Sequence, residues 1–141
     1  MPTDHVVSLI SRVREKANAL IVAQLERRGH PDLAPSHGAI LATLYACGPV
    51  PMGVLAKSID RKNNTLTVLV RKLESAGYVC RQAAPSDSRV ALIALTPKGE
   101  GFRKDFQEIS DTLLAAVWGT MEDTSKEALV AGLERVLANL G

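Results

Sequence analysis

Two clusters of side chains in this 141-residue sequence carry groups that can grip or read a nucleic acid. The first runs through Lys62, Asn63, Asn64, Thr65, Thr67, Arg71 and Lys72. Asn can make two hydrogen bonds to adenine, Arg and Lys reach guanine, and Thr offers a hydroxyl to phosphate or a methyl to thymine. No acidic residue interrupts this set before Glu74. In the second cluster, Arg81 and Arg89 flank Ser86, Asp87 and Ser88. A projecting Arg suits a narrow minor groove, where the negative potential is enhanced. Asp87 would repel phosphate if left bare, so its expected task is to hold Arg89 or the loop. An ordinary amphipathic helix and an exposed turn ion pair would show the same residue types. Their order along the chain favours the DNA-facing reading.

Charge distribution agrees with this. From Lys57 to Lys104 there are ten Lys/Arg against four Asp/Glu, while the rest of the chain holds seven against eleven. A basic middle flanked by acidic ends says more about a polyanionic partner than the net charge of +2 does. Aromatics are few, which argues weakly against a single-strand binder that stacks bases. No Ser-His-Asp set, metal cluster or Gly-rich phosphate loop is legible, so neither a catalytic residue nor a cofactor is expected. His5, His30 and His37 have no ligand spacing that argues for zinc. There is no N-terminal apolar h-region and no run of membrane-spanning length, which predicts a soluble, cytoplasmic protein with no membrane partner. Cys47 and Cys80 are then expected to be reduced, buried and inert.

The elements that must position these clusters follow from periodicity. Val6, Ile10, Val13, Ala17, Leu20 and Ile21 recur at helical spacing and predict a helix over about 5–27, with Asp4 accepting from its first N–H groups and Gly29 near its end. Pro35-Ser36 opens a second helix, broken by Gly48-Pro49-Val50-Pro51. A short third helix spans 52–59, and a fourth spans about 62–76 with Leu66, Leu69, Val70 and Leu73 inward and Gly77 as its left-handed stop. The period then changes. Tyr78 to Arg81 and Val90 to Leu95 read as antiparallel strands joined by a loop over 83–88. Thr96-Pro97 caps and opens a fifth helix to about Thr120, and Thr124-Ser125-Lys126-Glu127 fits a capping box for a sixth over about 124–140. The order α-α-α-α-β-β-α-α, mainly α with a small β-hairpin, is that of a winged helix-turn-helix, in which the helix after the tight turn enters the major groove. The first, fifth and sixth helices carry apolar stripes too long for one small core, which points to a large partner interface and against a monomer.

Leu73-Glu74-Ser75-Ala76-Gly77-Tyr78-Val79-Cys80-Arg81, then Asp87-Ser88-Arg89, then Leu95-Thr96-Pro97-Lys98-Gly99 resembles the signature of the MarR (multiple antibiotic resistance regulator) family. The resemblance covers essentially the whole chain. It implies a single domain over 1–141, with a winged lobe at 35–96 and dimerisation helices at 1–30 and 97–141. It implies a homodimer that reads an inverted-repeat operator in double-stranded DNA, as a repressor released by a small aromatic or phenolic effector. By the same resemblance Arg89 is the minor-groove probe and Asp87 orients it. Residues 62–72 supply the major-groove face, and Ser36 and His37 approach phosphates. Arg14, His37 and Tyr45 are the candidate effector-lining residues. Pro51-Met52-Gly53 departs from the family's polar cap before the third helix, which removes one expected phosphate contact. The rival reading is a winged-helix module that binds protein and no operator.

Overall fold

The computed structural model describes residues 1–59 and 63–141, and the side chains of Asn63 and Asn64 fall outside that description. Helix α1 (Val6–Arg27) leads through a 3₁₀ turn (Pro35–His37) into α2 (Gly38–Cys47). A two-residue strand β1 (Val50–Pro51) precedes α3 (Met52–Ile59) and α4 (Asn63–Ser75). Strands β2 (Val79–Ala84) and β3 (Asp87–Leu95) form the hairpin, followed by α5 (Pro97–Gly101), α6 (Arg103–Trp118) and α7 (Asp123–Asn139). The expected mostly helical fold with a small antiparallel sheet is the observed one.

One core sits under the winged lobe. Ile40, Leu41 and Leu44 of α2, Leu55 of α3, and Leu66, Val70 and Leu73 of α4 meet Tyr78, Val79 and Ile93 of the sheet, with Phe102 and Ile109 closing the side. These are the positions that a period near 3.6 places on one stripe of each helix. Helix α4 ends in a Schellman arrangement. Gly77 has φ +86°, its N–H donates to the Glu74 carbonyl at 3.0 Å, and the Tyr78 N–H donates to the Leu73 carbonyl at 2.9 Å. Thr96 caps α5 as expected: its hydroxyl oxygen accepts the Gly99 N–H at 3.1 Å, and the hydroxyl donates to the Gly77 carbonyl.

The sheet differs from the expectation in two ways. It has three strands in the order β1-β3-β2, with Val50 paired to Ile93 and Pro51 to Leu92. A two-residue strand has no period to detect, and Pro51 is tolerated there because β1 is an edge. The hairpin tip is also tighter than a loop over 83–88: only Pro85 and Ser86 form the turn. Ala83 pairs with Ala91 but Ala84 pairs with Asp87, so Ser88, Arg89 and Val90 form an irregularity on β3. Such irregularities re-aim side chains at a sheet's rim.

Three local expectations are corrected. Asp4 does not cap α1; its carboxylate accepts from the N-terminal ammonium at 3.1 Å. The capping box at Thr124 is not formed, because α7 already begins at Asp123 with Glu122 at its cap and no side-chain cap bond. The single fifth helix is divided at Phe102, whose N–H is shared between the Lys98 and Gly99 carbonyls while its ring is drawn into the core.

The outer helices are unlike the lobe. Among the described residues, α7 buries nothing and α1 buries only Leu25. Leu129, Val130, Leu133, Leu137 and Leu140, with Val6, Leu9, Ile10 and Val13, stand exposed. Polar contacts tie the end of α1 to the rest. Arg28 donates to Asp105 at 2.8 Å and to Glu108, His30 Nδ1 lies 2.6 Å from the Tyr78 hydroxyl, and His30 Nε2 lies 3.5 Å from Asp105. The end of α1 is therefore tied to α6 through Arg28 and to the winged lobe through the His30–Tyr78 contact.

Candidate nucleic-acid interface

The outward side of α4 is set by what its inner side buries. With Leu66, Val70 and Leu73 fully inside, Thr65, Val68, Arg71, Lys72 and Ser75 are exposed and Thr67 is partly covered. Val68, Arg71, Lys72 and Ser75 border one open groove together with Asp32 and Ala76. Lys62 lies outside the described residues, and Asn63 and Asn64 are fixed only as the first residues of α4. Val68 was absent from the sequence-derived set. Its spacing of three and four from Arg71 and Lys72 was the available signal, and its apolar chemistry hid it. An exposed branched methyl pair on such a face can meet a thymine methyl.

The hairpin presents a second group of residues. Asp87 accepts the Arg89 backbone N–H at 3.0 Å, the Nε at 3.1 Å and an Nη at 3.2 Å. These bonds hold the Asp87 carboxyl below its usual range, the side-chain bond to Arg89 first and the backbone bond second. The Arg89 side chain remains 89% exposed. Ser86 and Ser88 are exposed beside it. Arg81 is engaged elsewhere: its Nε lies 3.2 Å from a Glu74 carboxylate oxygen, which ties the base of the wing to the end of α4.

The remaining candidates separate. Ser36 is exposed in a shallow groove that also takes in Arg14, Asn18 and Ile59. His37, expected beside a phosphate, is buried, 3% exposed, so its ring is not on the surface. Its Nδ1 accepts the Ala34 N–H at 3.1 Å. Arg14, His37 and Tyr45 do not converge on one effector site, because they border three different depressions. The Tyr45 hydroxyl donates to the Gly99 carbonyl at 2.7 Å and burial pushes its pKa up to about 12, while the Arg103 guanidinium lies 4.7 Å from its ring centre. Tyr45 is thus a structural strut between α2 and α5. Of the three, only His37 borders the cavity of about 310 Å³ that lies between α1, α2 and α6. The expectation of two buried cysteines is corrected too: Cys47 is exposed and Cys80 half-buried. No group of three or more His, Cys, Asp or Glu suited to a metal occurs among the described residues. No helix among them is long and apolar enough to cross a membrane.

The winged lobe is also where sequence comparison finds its match: residues 33–91 fit the model described as the MarR family. Residues 33–91 thus carry a MarR-family domain. The chain is 30% identical over 97 residues to the HTH-type transcriptional regulator MhqR of Bacillus subtilis (strain 168), covering 69% of this chain and 65% of that protein. It is 33% identical over 87 residues to the HTH-type transcriptional regulator SarZ of Staphylococcus haemolyticus, covering 59% and 58%. The matched region spans only about half to two thirds of the length of the curated relatives. Among solved structures, a MarR mutant from E. coli complexed with operator DNA superposes with a TM-score of 0.80 at 22% identity, over 97% of this chain and 94% of that one. Bordetella bronchiseptica BpsR, studied for regulation of its DNA binding by 6-hydroxynicotinic acid, gives 0.79 at 17% identity, over 95% and 94%. At these identities the likeness is one of fold, and the MarR winged-helix fold covers nearly the whole chain.

Proposed function

We propose that this chain is a cytoplasmic transcription regulator of the MarR family that binds double-stranded DNA as a homodimer. In this reading α4 lies in the major groove through Arg71, Lys72, Thr65, Thr67 and Val68, with Lys62, Asn63 and Asn64 leading into it. The wing places Arg89 in the minor groove, flanked by Ser86 and Ser88. The observation that carries the reading is the wing itself: a single guanidinium, almost wholly exposed yet anchored at both backbone and side chain by Asp87, at an irregularity of β3. A pre-oriented cation loses less freedom on docking than a mobile one. The unburied apolar faces of α1 and α7 support two-fold pairing of chains, which in turn calls for an inverted-repeat operator. Release by a small ligand, and hence repression, is supported by the cavity between the outer helices and the lobe and by the ligand-regulated BpsR.

Selection from random duplex DNA with the purified full chain tests this. The expected result is enrichment of a palindromic site, with binding that weakens steeply as salt rises. Failure to enrich any sequence, with and without candidate ligands, would overturn operator recognition.

A further inference from the structure

Tyr78 joins the end of α4 to the elements that hold it. It follows the left-handed stop at Gly77, and its N–H donates to the Leu73 carbonyl of α4 at 2.9 Å. Its own carbonyl accepts the N–H of Thr96, the cap of α5, at 3.1 Å. The Lys98 ammonium lies 4.6 Å from the centre of its ring and donates to the Ala76 carbonyl at 2.8 Å. The residue is 1% exposed, so packing fixes the direction in which its hydroxyl points.

That hydroxyl ends on His30, 2.6 Å from Nδ1. The opposite nitrogen, Nε2, lies 3.5 Å from the Asp105 carboxylate of α6. A carboxylate only accepts, so the neutral ring keeps its proton on Nε2, and Nδ1 accepts from the Tyr78 hydroxyl. The imidazole also stands edge-on to Phe102 at 4.6 Å. Arg28, two residues before it, donates to the same Asp105 at 2.8 Å and to Glu108. One imidazole thus links the chain leaving α1, the start of α6 and the residue that ends α4. Leu25, Phe102 and Ile109 join the same parts by apolar packing. Apolar attraction is non-directional, whereas hydrogen bonds weaken steeply off axis. The polar contacts are therefore the ones that set an angle.

We propose that His30 is a positioning residue for operator binding. Without touching a base, it holds α4 through Tyr78 at a fixed angle to the outer helices, and so sets the one half-site spacing that the dimer accepts. The proposal rests on the reading of this chain as an operator-binding homodimer. Angle matters because one base pair more or less moves a half-site by about 3.4 Å along the duplex and turns it by about 35°. A lobe held by directed bonds cannot follow such a change; a lobe held by apolar contact alone has more freedom to.

Duplexes that carry the selected half-site as an inverted repeat, with its spacing changed one base pair at a time, test this on the full chain by fluorescence anisotropy. Wild type should prefer one spacing over its neighbours by at least about tenfold. Tyr78→Phe, which removes only the hydroxyl, should cut that preference to about threefold or less. His30→Leu should do the same, and the double variant should go no further, since both remove one contact. His30→Asn, which keeps an acceptor near the place of Nδ1, should restore part of the preference. The half-site sequence that each variant selects should stay that of wild type. If His30→Leu does not fold, Tyr78→Phe carries the test, because its ring still fills the core. A tie that only adds stability would lower the urea midpoint of Tyr78→Phe and leave its spacing preference intact; that result, or a wild type indifferent to spacing, overturns the proposal alone. Selection that yields no inverted repeat overturns the operator reading, and this proposal with it.

Discussion

Asp87 and Arg89 are bound to each other at three points, one through the Arg89 backbone N–H and two through its guanidinium, although they are only two residues apart. The arrangement fixes where the guanidinium leaves the wing while its outer surface stays open. An exposed ion pair of this kind adds little to stability. Its effect lies in orientation. Arg89→Ala should therefore lower affinity for the selected operator about 10- to 100-fold and leave unfolding and dimerisation unchanged. Asp87→Asn should cost only a few-fold, because one backbone bond survives. Fluorescence anisotropy measures the first effect and sedimentation the second. Because Arg89 depresses the Asp87 pKa, the carboxylate's hold is complete above the ordinary range and fades only as pH falls through the lowered value. Wild-type wing binding should thus not change through Asp87 between about pH 6 and 8. Unchanged affinity of the Arg89→Ala protein would refute the wing assignment.

The second prediction concerns pairing of chains. Leu137 and Leu140 are 72% and 80% exposed, on a helix that buries nothing among the described residues. Covering each such side chain in a partner is worth about 1.5–3 kcal/mol. A double variant, Leu133→Asp with Leu137→Asp, should shift the chain to monomer at micromolar concentration and weaken operator binding at least about tenfold. The winged lobe should keep its fold. Sedimentation velocity and circular dichroism decide between this and a monomeric protein, for which the variant would change nothing.

Gly99 supports a third. A Cβ at this position would lie 2.2 Å from the Tyr78 carbonyl oxygen, and that carbonyl accepts the Thr96 N–H at 3.1 Å. The close approach of α5 to the end of β2's lead-in is what the Thr96-Pro97-Lys98-Gly99 segment encodes. Gly99→Ala should destabilise by about 1–3 kcal/mol or more, as overpacking does, although alanine is the better helix former. Urea unfolding of the full chain gives the value. A gain in stability would mean the contact relaxes freely.

Sequence periodicity located α1, α4 and α7 to within a residue or two, because an apolar stripe at helical spacing is legible whether a core covers it, as in α4, or leaves it exposed, as in α7. The caps at Gly77 and Thr96 were equally legible, since left-handed backbone and a side-chain acceptor leave direct residue signatures. What stayed hidden depended on tertiary contacts. Strand β1 has two residues and one is Pro, so only its pairing to β3 defines it. Phe102 breaks a helix whose periodic stripe continues through it, because its ring packs against His30 at 4.6 Å. The capping pattern at Thr124 was real as a pattern but was pre-empted by a helix starting one residue earlier. In the candidate site, Asp87 and Arg89 could be paired from chemistry alone. Arg81 could not be separated from them, since its partner Glu74 lies seven residues back on another element. His37 was placed beside a phosphate, and also among the effector-lining candidates, through the family resemblance; the packing of α1 and α6 around it buries the ring and puts it in a cavity wall.

That burial makes the fourth prediction one of pH. His37 has its pKa lowered from the ordinary 6.5, by desolvation first and by the charge of Lys72 second. The unfolded chain takes up a proton near the ordinary value, and the folded chain only at lower pH. Between the two values the unfolded state holds more protons, so stability rises with pH across that window and is level above it. Acidification from about pH 7.5 to 5.5 should therefore destabilise the wild-type chain more than His37→Gln, which carries no titratable group at that position. Urea midpoints at a series of pH values, taken on both proteins, isolate the difference, since the carboxylates and the other histidines are common to both. The His37 ring should also take up its proton below the ordinary histidine range in a nuclear magnetic resonance titration. Equal acid sensitivity of the two proteins, or a His37 ring that protonates at its ordinary pH, would show that the ring is solvated and that the cavity wall is not formed as described.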